Sequence, residues 1–416
     1  MTVNVGSGII ERGIQLFGLI EKLRGIPTDA EVEGLLGLLP PDVQRNLGAL
    51  IAPHYRETGL IFLDVLKQWM FEARDAKRTG KKVVIVPFNF PPELLHPFEN
   101  LVPVTTELLT TLASVALPGG GERYWDLIQS LGLPDHICSA NSVEVASALS
   151  GLDLEPDAIV SAAPGACDAN SKVHELLSQW AGIPQFLFEI PVDDTPEGRS
   201  LYGQYFRRLV GELEEFAGET LQEERLREMV THANRCTELY WELFELRKQR
   251  PCPVPNVFNL LLAGVRFSTW GTPGAVRLLE SMVDTARRRH EQGLYPAPEE
   301  RARVMWAYTS YYFDLAGLHL WMEERGYSFL ADVLSFYAPQ PINTANRETM
   351  LDGLVTAAWE YPMNRTMGRS SMSGAWVEDM VYASKELAAD CAVHCGHDDC
   401  KQTWSVVYIL GEELLK

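Results

Sequence analysis

DAIVSAAPGACD (157–168), KVHELLSQWAG (172–182) and IPQFLFEIPV (183–192) follow one another and decide the fold. The first is an apolar run ending in a Pro-Gly loop, the second has helical spacing and stops at Gly182, and the third is apolar again. Strand, loop, helix and strand at this spacing predict a parallel βαβ unit. In such sheets ligands gather at the carboxyl ends of the strands, and Cys167 stands at one of them.

Working outward, KKVVIVPFN (81–89) reads as a fully buried strand, a short β-branched run ended by Pro87 and Asn89. Helical stretches are expected around 104–116 and 122–131. Before them, IIERGIQLFGLIEKL and GLIFLDVLKQWMFEARDAKR place apolar residues three and four apart, so residues 1–75 read as an N-terminal helical region. A first α/β domain is expected over 76–200, containing Cys138 and Cys167. A charge-rich helical connector follows over 201–250 and is broken by PCPVP (251–255).

The pattern then repeats over 251–416, a second α/β domain containing Cys400. It has a helix around 273–292, a strand-like ARVMWAYTSYY (302–312), a helix around 314–325 and a candidate strand YSFLADVL (327–334). A helix over 377–388 leads to ADCAVHCGHDDCKQTW, a last strand leaving through a polar loop into a closing helix (403–416). The expected architecture is therefore α/β: two Rossmann-like or flavodoxin-like parallel-sheet domains, plus N-terminal and intervening helices.

Bulk properties narrow the function. The chain has 416 residues, 46% hydrophobic and 22% charged, enough for two or three domains with sizeable cores. Its formal charge of −20 argues against a nucleic-acid partner, which would need a basic footprint. The basic groups Arg207–Arg208 and Arg287–Arg289 lie in helical patterns and read as solvated faces. No run of about 18 apolar residues predicts a membrane span. Glu11 and Arg12 interrupt the place where a secretory signal needs an apolar core. Seven cysteines without export signals fit a reducing cytoplasm better than a disulfide framework.

Three of those cysteines sit in polar or Gly-rich loops: Cys138 in DHICSANS, Cys167 in PGACDAN and Cys400 in CGHDDCKQT. Two readings stand side by side. They are three unrelated thiols, or they converge as the three protein ligands of an iron–sulfur cube with one iron left open for substrate. Cys236 and Cys252 read as small buried hydrophobes. In CAVHCGHDDC the interleaved Cys391, His394, Cys395, His397 and Cys400 have ligand chemistry, but their spacing matches no common zinc module. Strand alternation gives Cys391 and Cys395 a core role and leaves Cys400 in the loop. Asp193, Asp194 and the acids Glu212, Glu214 and Glu215 read as surface charge. The glycine triplet 119–121 reads as a turn, and no phosphate-binding glycine motif is present.

CSANSVEVASAL (138–149), DAIVSAAPGACDANSKVHELL, RPCPVPNVFNLLLAGVRFSTWGTPGAVRLLESM (250–282) and AADCAVHCGHDDCKQT, in this order, resemble D-component-like subunits of the 2-hydroxyacyl-CoA dehydratase and benzoyl-CoA reductase family. The resemblance covers roughly residues 80–416. It implies a four-iron four-sulfur cluster on Cys138, Cys167 and Cys400, a homologous second subunit in a hetero- or homodimer, and an acyl-CoA substrate. It also implies a separate ATP-dependent iron–sulfur activator protein that injects a low-potential electron. In such chemistry one added electron turns the thioester carbonyl into a ketyl, which expels the hydroxyl group and acidifies the β-proton. The implied activity is a lyase, a 2-hydroxyacyl-CoA dehydratase. The alternatives are an ATP-coupled aromatic acyl-CoA (benzoyl-CoA) reductase subunit, a cluster-bearing electron-transfer or scaffold subunit, and a double-cubane-cluster reductase relative. Two departures stand out: Asp399 replaces the glycine that often precedes the last cysteine, and GEELLK comes before the strand and helix that usually complete the second sheet. The expectation is either a truncated sequence or a shortened member with an incomplete second domain.

Overall fold

The computed structural model describes residues 7–20, 26–134, 136–151, 153–163, 167–191, 194–308, 314–336, 339–361, 364, 372–396 and 400–416. Asp193, His397, Asp399 and the 309–312 end of the expected strand lie outside the described residues.

Four helices open the chain: α1 (Ile9–Ile20), α2 (Asp29–Leu36), α3 (Pro41–Leu50) and α4 (Arg56–Asp75). Strands β1 (Lys82–Val86) and β2 (Leu101–Thr105) follow, then helices α5 (Glu107–Ala116), α6 (Glu122–Ser130) and α7 (Ser139–Leu149). The βαβ unit comes next as β3 (Ala158–Ala163), α8 (Asp168–Ala181) and β4 (Gln185–Glu189). Gly182 ends α8 in the left-handed conformation, at φ 67°, where a side chain would be strained. Helices α9 (Pro196–Ala217), α10 (Glu223–Arg247), α11 (Phe258–Ser268) and α12 (Pro273–Glu291) lead to β5 (Ala302–Trp306), α13 (Leu315–Glu324) and β6 (Tyr327–Ala331). Finally come α14 (Arg347–Trp359), α15 (Val377–Glu386), β7 (Cys391–Val393) and α16 (Lys401–Leu414).

The expected α/β class is what the chain adopts. One sheet has the order β2-β1-β3-β4 and the other β6-β5-β7, with every pairing parallel. The unbroken apolar run of β1 has its cause in this arrangement, because both faces of the strand are covered. Val84 and Val86 pack with α9, α10 and α14 on one side, while Val83 joins the large cluster reaching α1 and α4. Helix α14 buries Met350, Leu351 and Leu354 against the first sheet's helices, although it lies far along the chain in the 251–416 stretch.

Two elements depart from the sequence reading. β2 is a strand for which the sequence pattern sets no expectation at 101–103 and whose last two residues fall at the start of the helix expected around 104–116; it contains Pro103. It is an edge strand, so the missing proline N–H breaks no ladder; the Pro103 carbonyl accepts from Trp69 Nε1 at 3.3 Å. Cys391 was expected in the core with Cys395. Cys395 is buried in the second sheet's cluster, but Cys391 is exposed, because β7 is a three-residue edge strand with all three residues open to solvent.

The remaining sequence features fall in place around this frame. Cys236 and Cys252 are buried. Gly119 and Gly120 form a left-handed turn between α5 and α6. Asp194 pairs with Arg199 at the surface, and Arg207 and Arg208 lie on an outer face of α9, paired with acids there. Arg289 is more deeply set and donates to the His54 carbonyl. No helix among the described residues is long and apolar enough to cross a membrane.

Candidate functional site

In each sheet the chain leaves the central strand toward one edge and returns on the other side, which opens a crevice at the carboxyl ends. In the first sheet this point lies between β1 and β3, in the second between β5 and β7. Cys167 follows β3 and Cys400 follows β7, so the two cysteines occupy corresponding places. Their backbones match as well. Cys167 has φ −106°, ψ 96° and caps α8; Cys400 has φ −104°, ψ 97° and caps α16.

Cys138 caps α7. All three candidate cysteines therefore stand at helix N-termini, where the first N–H groups lack partners inside the helix and the dipole favours negative charge. The Asn170 backbone N–H donates to the Cys167 sulfur at 3.4 Å. The Tyr308 hydroxyl lies 4.0 Å from the Cys400 sulfur. Around Cys400, the His394 Nε2 donates to the Thr403 carbonyl at 3.1 Å and Thr403 Oγ1 donates to the Cys400 carbonyl at 2.8 Å. The Trp404 ring seals this turn against Gly396, where any Cβ would come within 2.5 Å of the ring.

Electrostatics tie the three thiols together. Burial pushes the Cys167 thiol far above its ordinary value, the Asn170 N–H opposes that, and repulsion from Cys138, Cys400 and Glu107 adds to it. Elements separated widely in sequence thus bring their sulfurs within each other's field. Among the described residues, no three or more His, Cys, Asp or Glu side chains form a set for a single metal ion. A lone zinc draws each thiolate to about 2.3 Å. A cube puts each cysteine on a different iron, so its ligands stand further apart. Partly buried thiols at three helix N-termini, with Cys138 and Cys400 acting on Cys167, have the donor chemistry that such a cluster takes, and a bound metal takes even a reluctant thiol as thiolate.

Sequence reasoning missed the acids beside Cys167. Glu107, the first residue of α5, accepts from the Phe88 N–H at 3.2 Å and from Asn170 Nδ2 at 2.8 Å. Its other oxygen, Oε2, is buried without a hydrogen-bond partner among the described residues. Burial first, then the neighbouring Glu144, push the Glu107 carboxyl up to about 8, while His174 and the Phe88 N–H pull the other way. Glu144 on α7 is fully buried and forms an ion pair with His174 Nε2 at 2.6 Å. The His174 Nδ1 meets Ser161 Oγ at 3.1 Å, and Gln185 Nε2 donates to that oxygen at 2.7 Å. Ser161, His174 and Glu144 have the connectivity of a hydrolytic triad, yet Ser161 is 0% exposed inside the sheet, with no room for a substrate carbonyl. The signal that could have found Glu107 was its position directly after an apolar run ending in Thr105, at a strand's carboxyl end.

Residues 87–416 match the family model described as the D-component of 2-hydroxyglutaryl-CoA dehydratase. The chain belongs to that family of dehydratase-type subunits. No curated protein matches it.

Proposed function

We propose that this chain is the iron–sulfur subunit of a 2-hydroxyacyl-CoA dehydratase-type enzyme, with Cys138, Cys167 and Cys400 holding a four-iron four-sulfur cluster. The observation that carries the reading is the meeting of three helix-capping thiols in one electrostatic neighbourhood, at the switch points of two parallel sheets. When bound, the cluster supplies a Lewis-acidic iron not held by protein and a route for one low-potential electron.

The chain's own residues then have definite tasks. Each ligand cysteine caps a helix N-terminus, and at Cys167 the Asn170 N–H opposes the burial that disfavours thiolate. Asn170 fixes the Cys167 sulfur through its backbone and Glu107 through its side chain. Glu107 carries a proton near neutral pH, because burial disfavours its charge, and its unbonded Oε2 is the atom from which that proton is given or to which it returns. Dehydration needs such a group twice: an acid toward the departing hydroxyl and a base toward the β-hydrogen.

The family description names a D-component, which implies a companion component; a homologous subunit, an ATP-dependent activator and an acyl-CoA substrate complete the reading. Seven free cysteines suit a reducing cytoplasm. A double cluster would need further thiolates, and Cys395 buried in the core with Cys391 exposed at the amino end of β7 weighs against it.

Anaerobic purification with iron and sulfide analysis tests the assignment. About four irons per chain are expected, lost on changing Cys167 to Ala. Iron retained by a chain lacking all three cysteines would overturn it.

A further inference from the structure

Beside the site lie two carboxyl groups and one imidazole with little access to water. Glu144 and His174 are 0% exposed, while Glu107, partly buried as a residue, has its Oε2 buried and its Oε1 held by Asn170 and the Phe88 N–H. Asn170 Nδ2 reaches both acids, at 2.8 Å from Glu107 Oε1 and 3.5 Å from Glu144 Oε2. Asn141 Nδ2 also donates to Glu144, at 3.3 Å. Two ionised carboxylates so close in a dry interior repel strongly, and a buried charge persists only when paired. The cluster therefore keeps a proton on one acid, and the geometry says which. Glu144 Oε1 has the imidazole 2.6 Å away as an ion-pair partner, without hydrogen-bond geometry, and its Oε2 takes neutral donors. Among the described residues, Glu107 has only neutral donors on Oε1, none on Oε2 and no cation beside it.

We propose that His174 is a positioning residue: paired with Glu144, it keeps that acid ionised, so that the buried proton of the cluster rests on Glu107, at the substrate side. The inference rests on the functional reading above for its purpose, but not for its geometry. The groups facing His174 are Glu144 from α7, Ser161 from β3, Asn170 from its own helix and, at longer range, Glu107 from α5. Burial, the largest single effect, lowers the imidazole; Glu144 by charge and by contact raises it above its ordinary value, and Glu107 adds to this only when ionised. Charge then balances: one imidazolium, one carboxylate and one carboxylic acid.

The test is infrared spectroscopy of the full chain at pH 7, reading the carbonyl band of a buried protonated carboxyl. The band is expected in the wild type, absent in Glu107→Gln, and retained in Glu144→Gln and in the double variant His174→Gln/Glu144→Gln. In His174→Gln the two acids lose their cation, both become protonated, and the band roughly doubles. A purely structural histidine would leave the band unchanged. Loss of the band in Glu144→Gln with retention in Glu107→Gln would overturn the proposal, as would its absence from the wild type. Should the variants fail to fold, nitrogen-15 spectra of the unaltered chain decide. Of its nine histidines, one imidazole must stay doubly protonated above the pH at which an ordinary histidine loses its proton, and none doing so refutes the charged pair. Iron analysis of the same samples separates the readings: a chain without iron but with this band pattern fails the cluster assignment and keeps this one.

Discussion

Asn170 holds Glu107 across the gap between two helices, its Nδ2 donating to Oε1 at 2.8 Å. The same residue's backbone N–H donates to the Cys167 sulfur, so α8 sets the distance between the acid and the thiol. Asn170→Ala strips a donor from a buried carboxyl and should cost about 1–3 kcal/mol in a urea titration. Asn170→Asp adds a third acid to the cluster, so its loss should be greater at pH 9 than at pH 5.

The raised Glu107 carboxyl makes stability depend on pH. Its folded value of about 8 lies above the ordinary 4.5, so the native state binds a proton that the unfolded chain releases. The contribution is fully present below about pH 4.5 and is lost as pH rises through about 8. Unfolding free energies from urea titrations at pH 5 and pH 9 should differ more for the wild type than for Glu107→Gln, by an amount on the order of a few kcal/mol. Equal differences would remove Glu107 as the cause.

Arg303, 0% exposed, ties the second sheet to its surroundings. Its guanidinium donates to the carbonyls of Leu387, Arg247 and Gln249 and pairs with Glu300 at 3.0 Å. Arg303→Leu takes the guanidinium from those carbonyls and leaves Glu300 with the Cys252 N–H but no cation, and should cost roughly 3–5 kcal/mol by chemical denaturation. Arg303→Lys should rescue little, since one ammonium cannot span a planar fork of acceptors.

The cysteines should separate by reactivity. Cys391, exposed on β7, should be alkylated in the native state, while Cys236, Cys252 and Cys395 should react only after unfolding. Cys391→Ala should leave iron content unchanged; Cys400→Ala should abolish it. Equal iron loss in both would move the site to the other end of this strand.

What could be read from the sequence follows from how local each signal is. The βαβ unit was legible because its apolar runs, its helical spacing and Gly182 all lie within one short stretch. β2 was not, because Pro103 is a poor omen for a strand unless its edge position is known, and that position is a tertiary fact. The exposure of Cys391 escaped for a related reason: alternation assigns residues to faces, but only the sheet order says whether a neighbour covers them. The three cysteines stood out by residue type and loop setting. Glu107, Glu144 and His174 did not, since a carboxylate's burial cannot be seen until α5, α7 and α8 are brought together.

The wide spacing of the capping thiols also bears on how the molecule is made. Cys400 lies 233 residues beyond Cys167 (400 minus 167), at the start of α16, so a ribosome must deliver every strand of both sheets before the third sulfur exists. Parallel sheets with such distant contacts close slowly. Loading of an inorganic centre held by all three would be a late step of biogenesis, and a nascent chain would wait for it with its crevice open.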